Sequence, residues 1–118
     1  MNEEPRDRAL EHLYAHETHG HMPRHEGRVA ALVAGVIAEI EGLDERIESV
    51  SEHWSVARMP VIDRNILRIG LYELENDPST PTPVIISEAV RLASTYSTEK
   101  SAAFVNGVLS TLSKTARP

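Results

Sequence analysis

The stretch 101-SAAFVNGVLSTL-112 sets two folds against each other. Asn106-Gly107 is one of the strongest short turn signals, and between alternating apolar residues it would close a β-hairpin. No such alternation flanks it. Phe104, Val105, Val108, Leu109 and Leu112 keep a helical period straight across the dipeptide, and no strand pattern lies beside it to pair with. The stretch therefore reads as a helix. A mid-helix glycine costs roughly 1 kcal/mol against alanine, so an offset is expected: a neighbouring helix approaching closely, with the Asn106 amide on a nearby backbone group. Gly35 in 32-LVAGVI-37 and Gly70 in 66-ILRIGLYEL-74 make the same argument and predict a tightly packed bundle.

Working outward, the rest of the chain is helical too. Val29, Leu32, Val33, Val36, Ile37 and Ile40 form one stripe. Leu43, Ile47, Val50 and Trp54 form another after an expected break at Gly42. Pro60 suits the start of a helix whose apolar residues (Ile62, Ile66, Leu67, Ile69, Leu71, Leu74) spread over more than one face. That spread predicts a central helix packed on two sides. The stretch 78-PSTPTP-83 is a rigid connector, with Thr82 as expected N-cap and Pro83 at the first helical position. Ile85, Ala89, Leu92 and Tyr96 make the next stripe, and Thr98 caps the last helix. The class is all-α: a compact bundle of about six helices in one domain spanning residues 1–118.

Composition narrows the function. With no cysteine among 118 residues, disulfides, thiolate metal sites and cysteine nucleophiles are excluded. No apolar run approaches the roughly 20 residues of a membrane helix, and MNEEPRDRAL is too acidic for a secretory signal. A cytoplasmic protein without membrane attachment is expected. The net charge of −6 disfavours indiscriminate polyanion binding. Residues 1–59 hold 6 basic and 12 acidic side chains and residues 60–118 hold 6 of each, so a nucleic-acid surface should lean on the second half. His12 and His16 share a helical face, and His19, His21 and His25 follow in a loop. Without cysteine or fixed spacing they read as polar surface, not a metal site. No Ser-His-Asp arrangement or phosphate-cradling glycine loop is visible, so neither catalysis nor a cofactor is expected.

The segments 59-MPVIDRNILRIGLYEL-74 and 84-VIISEAVRLASTYSTEKSAAFVNGVL-109, with 53-HWS-55 and 9-ALEHLY-14 upstream, resemble the NusB family of bacterial transcription antitermination proteins. The resemblance is strong over residues 54–112 and weaker over 1–50. It implies two small helical sub-bundles and no enzyme activity; the domain also occurs fused to ribosomal RNA methyltransferases, and this chain stops short of such a domain. It further implies binding of single-stranded boxA-type RNA beside NusE, a small-subunit ribosomal protein, within an RNA polymerase antitermination complex. A homodimer is a further possibility.

Carried onto this sequence, the resemblance implies RNA contacts at Arg6, Tyr14 and Phe104, and a partner contact at Asp63. Arg8 adjoins Arg6, while Asn2, Glu3 and Glu4 stand where relatives carry arginine, which should weaken phosphate binding. Lys100 replaces an acidic residue common on the RNA-facing side, and with Arg64 it is the expected second-half phosphate contact. The chain between Tyr14 and Leu32 is short, so the second helix should shrink to a loop over 18–27. Other readings stay open: Phe104 as core, Tyr14 as both packing and contact residue, Asp63 as a first-turn carboxylate favoured by the helix dipole. Arg68 should tie helices together through a carboxylate. A rival function keeps the fold but abandons RNA for protein partners alone.

Overall fold

The computed structural model describes residues 4–20, 26–51 and 54–118. They form six α-helices and one short 3-10 turn, with no strand among the described residues. Helix α1 is Pro5–His19, α2 Gly27–Ala38, α3 Ile40–Val50, α4 Val61–Asn76, α5 Thr82–Tyr96 and α6 Glu99–Ala116; the 3-10 turn, Val56–Arg58, precedes α4. Helices α4, α5 and α6 pack mutually as one group, and α1, α2 and α3 pack on α4 as a second. No helix among the described residues is long and apolar enough to cross a membrane.

The central role expected of 61–74 follows from its burial. Ile66, Leu67, Ile69, Leu71 and Leu74 are all buried, and α4 touches every other helix. A helix surrounded this way cannot keep its polar residues in solvent, so Asp63, Asn65, Arg68 and Glu73 are buried as well. Each has a partner. Arg68 donates to both Asp44 oxygens at 2.7 and 2.8 Å and to Glu17 at 3.1 Å, tying α4 to α3 and α1 as its position between apolar residues suggested. Arg117, just past α6, donates to the Leu74, Asp77 and Thr80 carbonyls at 2.9, 2.6 and 2.6 Å, which satisfies the open end of α4.

Two glycines behave as expected. A Cβ on Gly70 would lie 2.7 Å from Leu109 Cδ1, and one on Gly35 would overlap the Tyr72 hydroxyl, so both mark close helix contacts. Gly107 does not. The stretch 101–112 is helical, but Gly107 and Asn106 are exposed, and a Cβ on Gly107 would meet nothing within 4 Å. Val105, Val108 and Leu109 take the buried face of α6, and Asn106 and Gly107 are left on its exposed face.

Some boundaries differ from expectation. The break expected at Gly42 falls at Glu39, and Gly42 lies in the first turn of α3. Helix α3 ends at Val50, so Trp54 leaves its stripe and stands 52% exposed. Thr82 is the first residue of α5 rather than its cap, since the prolines on both sides already set extended and then helical backbone. Thr98 does cap α6, accepting from the Ser101 amide. Thr18 and His19 complete α1, which ends at Gly20 in the left-handed region; the rest of the expected loop, including His21, lies largely outside the described residues.

Candidate nucleic-acid interface

Two recesses border the first turn of α4. One, of about 370 Å³, is walled by Trp54, Met59, Pro60 and Phe104, with Lys100 at its rim and Asp63 and Ser101 at its base. The other, of about 260 Å³, lies between α1, α4 and α5 and includes Tyr14, His19, Ile62 and Tyr96. Sequence-expected residues Lys100, Phe104 and Tyr14 all reach this end of the molecule. Lys100 is exposed and has no ion-pair partner among the described residues. Phe104 is half-buried, packed against the core and also lining the recess. Tyr14 is 39% exposed and meets His19 edge-to-face at 6.5 Å.

Arg6 does not join them. It is buried, and its guanidinium forms a two-pronged pair with Glu73 at 2.8 and 2.9 Å. Glu4 and Glu88 lie 3.4 and 3.7 Å from its remaining nitrogen. Burial alone would lower the Arg6 pKa, but the hydrogen bond and charge of Glu73 outweigh that and raise it. The expected phosphate contact is therefore a structural bolt between α1 and α4. Its neighbour Asp7 is also inward, held by Arg91 at 2.6 and 3.1 Å and by the Tyr96 hydroxyl at 2.7 Å. Burial would raise the Asp7 pKa, but these bonds and the Arg91 charge bring it below the ordinary carboxylate value. One turn in, Arg8 is half-buried and has no ion-pair partner among the described residues. It is the cation the N-terminal helix still offers.

Asp63 and Arg64 also differ from expectation. Asp63 is buried and accepts hydroxyl bonds from Ser97 at 2.7 Å and Ser101 at 2.5 Å, fastening α4 to the α5–α6 junction. A carboxylate with both oxygens occupied and 4% exposure is not a partner-facing charge. Arg64 pairs with Glu17 and donates to the Met59 carbonyl at 3.1 Å, in a recess shared with Arg68. Burial, and then repulsion from Arg68, lower its pKa. Its charge is matched inside the protein. Sequence reasoning placed Trp54 at the end of the Leu43–Val50 stripe; α3 ends at Val50, so Trp54 lies beyond it and is exposed. Among the described residues no three His, Asp or Glu side chains gather as a metal site, and His25 lies outside them.

A family model described as the NusB family matches residues 1–114. The chain belongs to the NusB family. Among curated relatives, the transcription antitermination protein NusB of Sorangium cellulosum (strain So ce56) is 49% identical over 86 residues, covering 71% of this chain and 61% of that protein. The corresponding protein of Solibacter usitatus (strain Ellin6076) is 44% identical over 97 residues, covering 82% of this chain and 63% of that protein. The matched region thus spans about three fifths of these NusB proteins' length. Among solved structures, T. maritima NusB superposes with a TM-score of 0.87 at 29% identity, covering 100% of this chain and 96% of that one. A chain from a complex of the antitermination factors NusB and NusE with double-stranded RNA gives 0.80 at 30% identity, covering 94% of each.

Proposed function

We propose that this chain is a non-enzymatic, cytoplasmic antitermination factor that holds boxA-type single-stranded RNA beside a NusE-type ribosomal protein within a transcribing RNA polymerase complex. The observation carrying this reading is the exposed, unpaired Lys100 beside Phe104 at one end of a NusB fold. A cation next to an aromatic face suits single-stranded RNA, where phosphates position the strand and unstacked bases lie on side chains. Arg8 and Tyr14 extend the contact along α1. With Arg6 and Arg64 already paired with carboxylates, few phosphate contacts remain, and the RNA is held weakly until the partner adds its own surface. Scaffolding is the whole mechanism: the chain aligns RNA and protein without making or breaking bonds.

Fluorescence anisotropy of a labelled boxA RNA, with and without a NusE-type protein and at two salt concentrations, tests this. Selective binding that the partner strengthens and salt weakens is expected. Absence of binding in both conditions overturns it. The engagement of Arg6 with Glu73 favours one rival, a NusB fold kept for protein contacts alone. Capture of the partner without RNA would select that rival.

A further inference from the structure

Trp54 is left unexplained by the packing. A single exposed apolar side chain is ordinary, but an exposed apolar patch beside a cleft is informative, and Trp54 shares two cleft linings with Phe104. Trp54 is 52% exposed, yet its backbone is pinned: its amide donates to the Ser51 carbonyl at 2.8 Å, and the buried Ser51 hydroxyl donates to the Trp54 carbonyl at 2.8 Å. The indole is thus presented from a fixed point between α3 and the 3-10 turn. Neither it nor Phe104 is stacked on another aromatic ring among the described residues.

Trp54 and Phe104 wall two adjoining clefts. The first is the 370 Å³ recess with Lys100 at its rim. The second, of about 400 Å³, runs along the outer face of α6 past Ala103, Gly107 and Thr111. Gly107 lines this second cleft, and a Cβ there would project into open space. Two acidic residues lie nearby, and Lys100 is the cation at the rim. Asp63 is buried under two hydroxyl bonds, and Glu99 lines a separate groove between α5 and α6.

We propose that Trp54 and Phe104 form a two-sided stacking ridge for successive unstacked bases of single-stranded RNA, with Lys100 on the intervening phosphate. Stacking tolerates any base, so the ridge adds affinity and sets register, while selection is made elsewhere. The inference rests on the RNA-binding reading and locates an aromatic contact that the sequence pattern had placed on a helical stripe.

Because Trp54 is the only tryptophan, its fluorescence reports this site alone. Single-stranded boxA-type RNA is titrated into the protein, with and without a NusE-type protein, while tryptophan emission and RNA anisotropy are followed together. Quenching that tracks anisotropy is expected. Trp54→Ala should weaken binding about tenfold, the scale of losing one base stack, and Trp54→Phe should restore most of it. Both variants should melt like wild type, since the indole is outside the core. Anisotropy without quenching, and unchanged affinity in Trp54→Ala, would overturn the ridge and leave the RNA-binding reading standing. Quenching by the protein partner alone, lost contact in Trp54→Ala and no RNA binding would overturn both and make the ridge a protein contact.

Discussion

Replacing Arg6 separates a structural arginine from an RNA-binding one. Its side chain is 8% exposed and that of Glu73 is 5% exposed, so the two-pronged pair between α1 and α4 is desolvated on both sides. Arg6→Met keeps the volume of the stem but leaves the Glu73 carboxylate buried with no cation. Breaking a buried pair from one side costs about 3–5 kcal/mol, a large share of the roughly 5–15 kcal/mol that holds a small domain together. With a urea m-value of about 1–3 kcal/mol per molar, the unfolding midpoint should fall by about 2 M. Arg6→Met with Glu73→Met removes both charges, and buried pairs replaced in this way are often neutral or more stable. The double variant should therefore recover most of the loss and retain wild-type RNA affinity. Urea unfolding followed by circular dichroism, paired with RNA anisotropy, reads both. If Arg6→Met stays within about 0.5 kcal/mol of wild type, or if the refolded double variant binds RNA much more weakly, the bolt is not what this arginine is for.

Three further outcomes follow from the same geometry. Gly107→Ala should stabilise the protein by about 0.5–1 kcal/mol, because α6 gains a helix former where no neighbour is displaced; a loss measured by thermal melting would restore the packing explanation. Gly70→Ala should go the other way by about 1–3 kcal/mol, since its Cβ would press on Leu109 inside the core. Asp7, with its folded pKa depressed, contributes stability that is present above the ordinary carboxylate pKa and lost as pH falls through the lower folded value. Melting curves of wild type and Asp7→Asn should therefore differ most near neutral pH and converge in acid, and a gap that widens in acid would contradict the Arg91–Asp7–Tyr96 arrangement.

What the sequence determined by itself is periodic. The helical steps of Val29–Val36, Ile85–Leu92 and Val105–Leu112 specify which faces are apolar, and burial of those faces is enough to make an all-helical bundle with 61–74 at its centre. The glycines at 35 and 70 do mark close helix contacts, as the sequence suggested. Gly107 holds the same place in its stripe as Gly35 does in its own, and only the neighbour separates them: Tyr72 lies against Gly35 and nothing lies against Gly107.

The charged residues were decided by the tertiary structure alone. Arg6, Asp63 and Arg64 have the residue types of a binding surface, yet each points inward because a carboxylate or hydroxyl from a distant segment waits there: Glu73, Ser97 and Ser101, and Glu17. No local pattern encodes such partners, which are 67, 34, 38 and 47 residues away. Trp54 shows the converse. Its spacing extended an apolar stripe, but α3 ends before it, so the indole stands at the surface and not in the core. Periodicity reports burial only while the helix lasts, and the pairing of charges is known only once the helices have met.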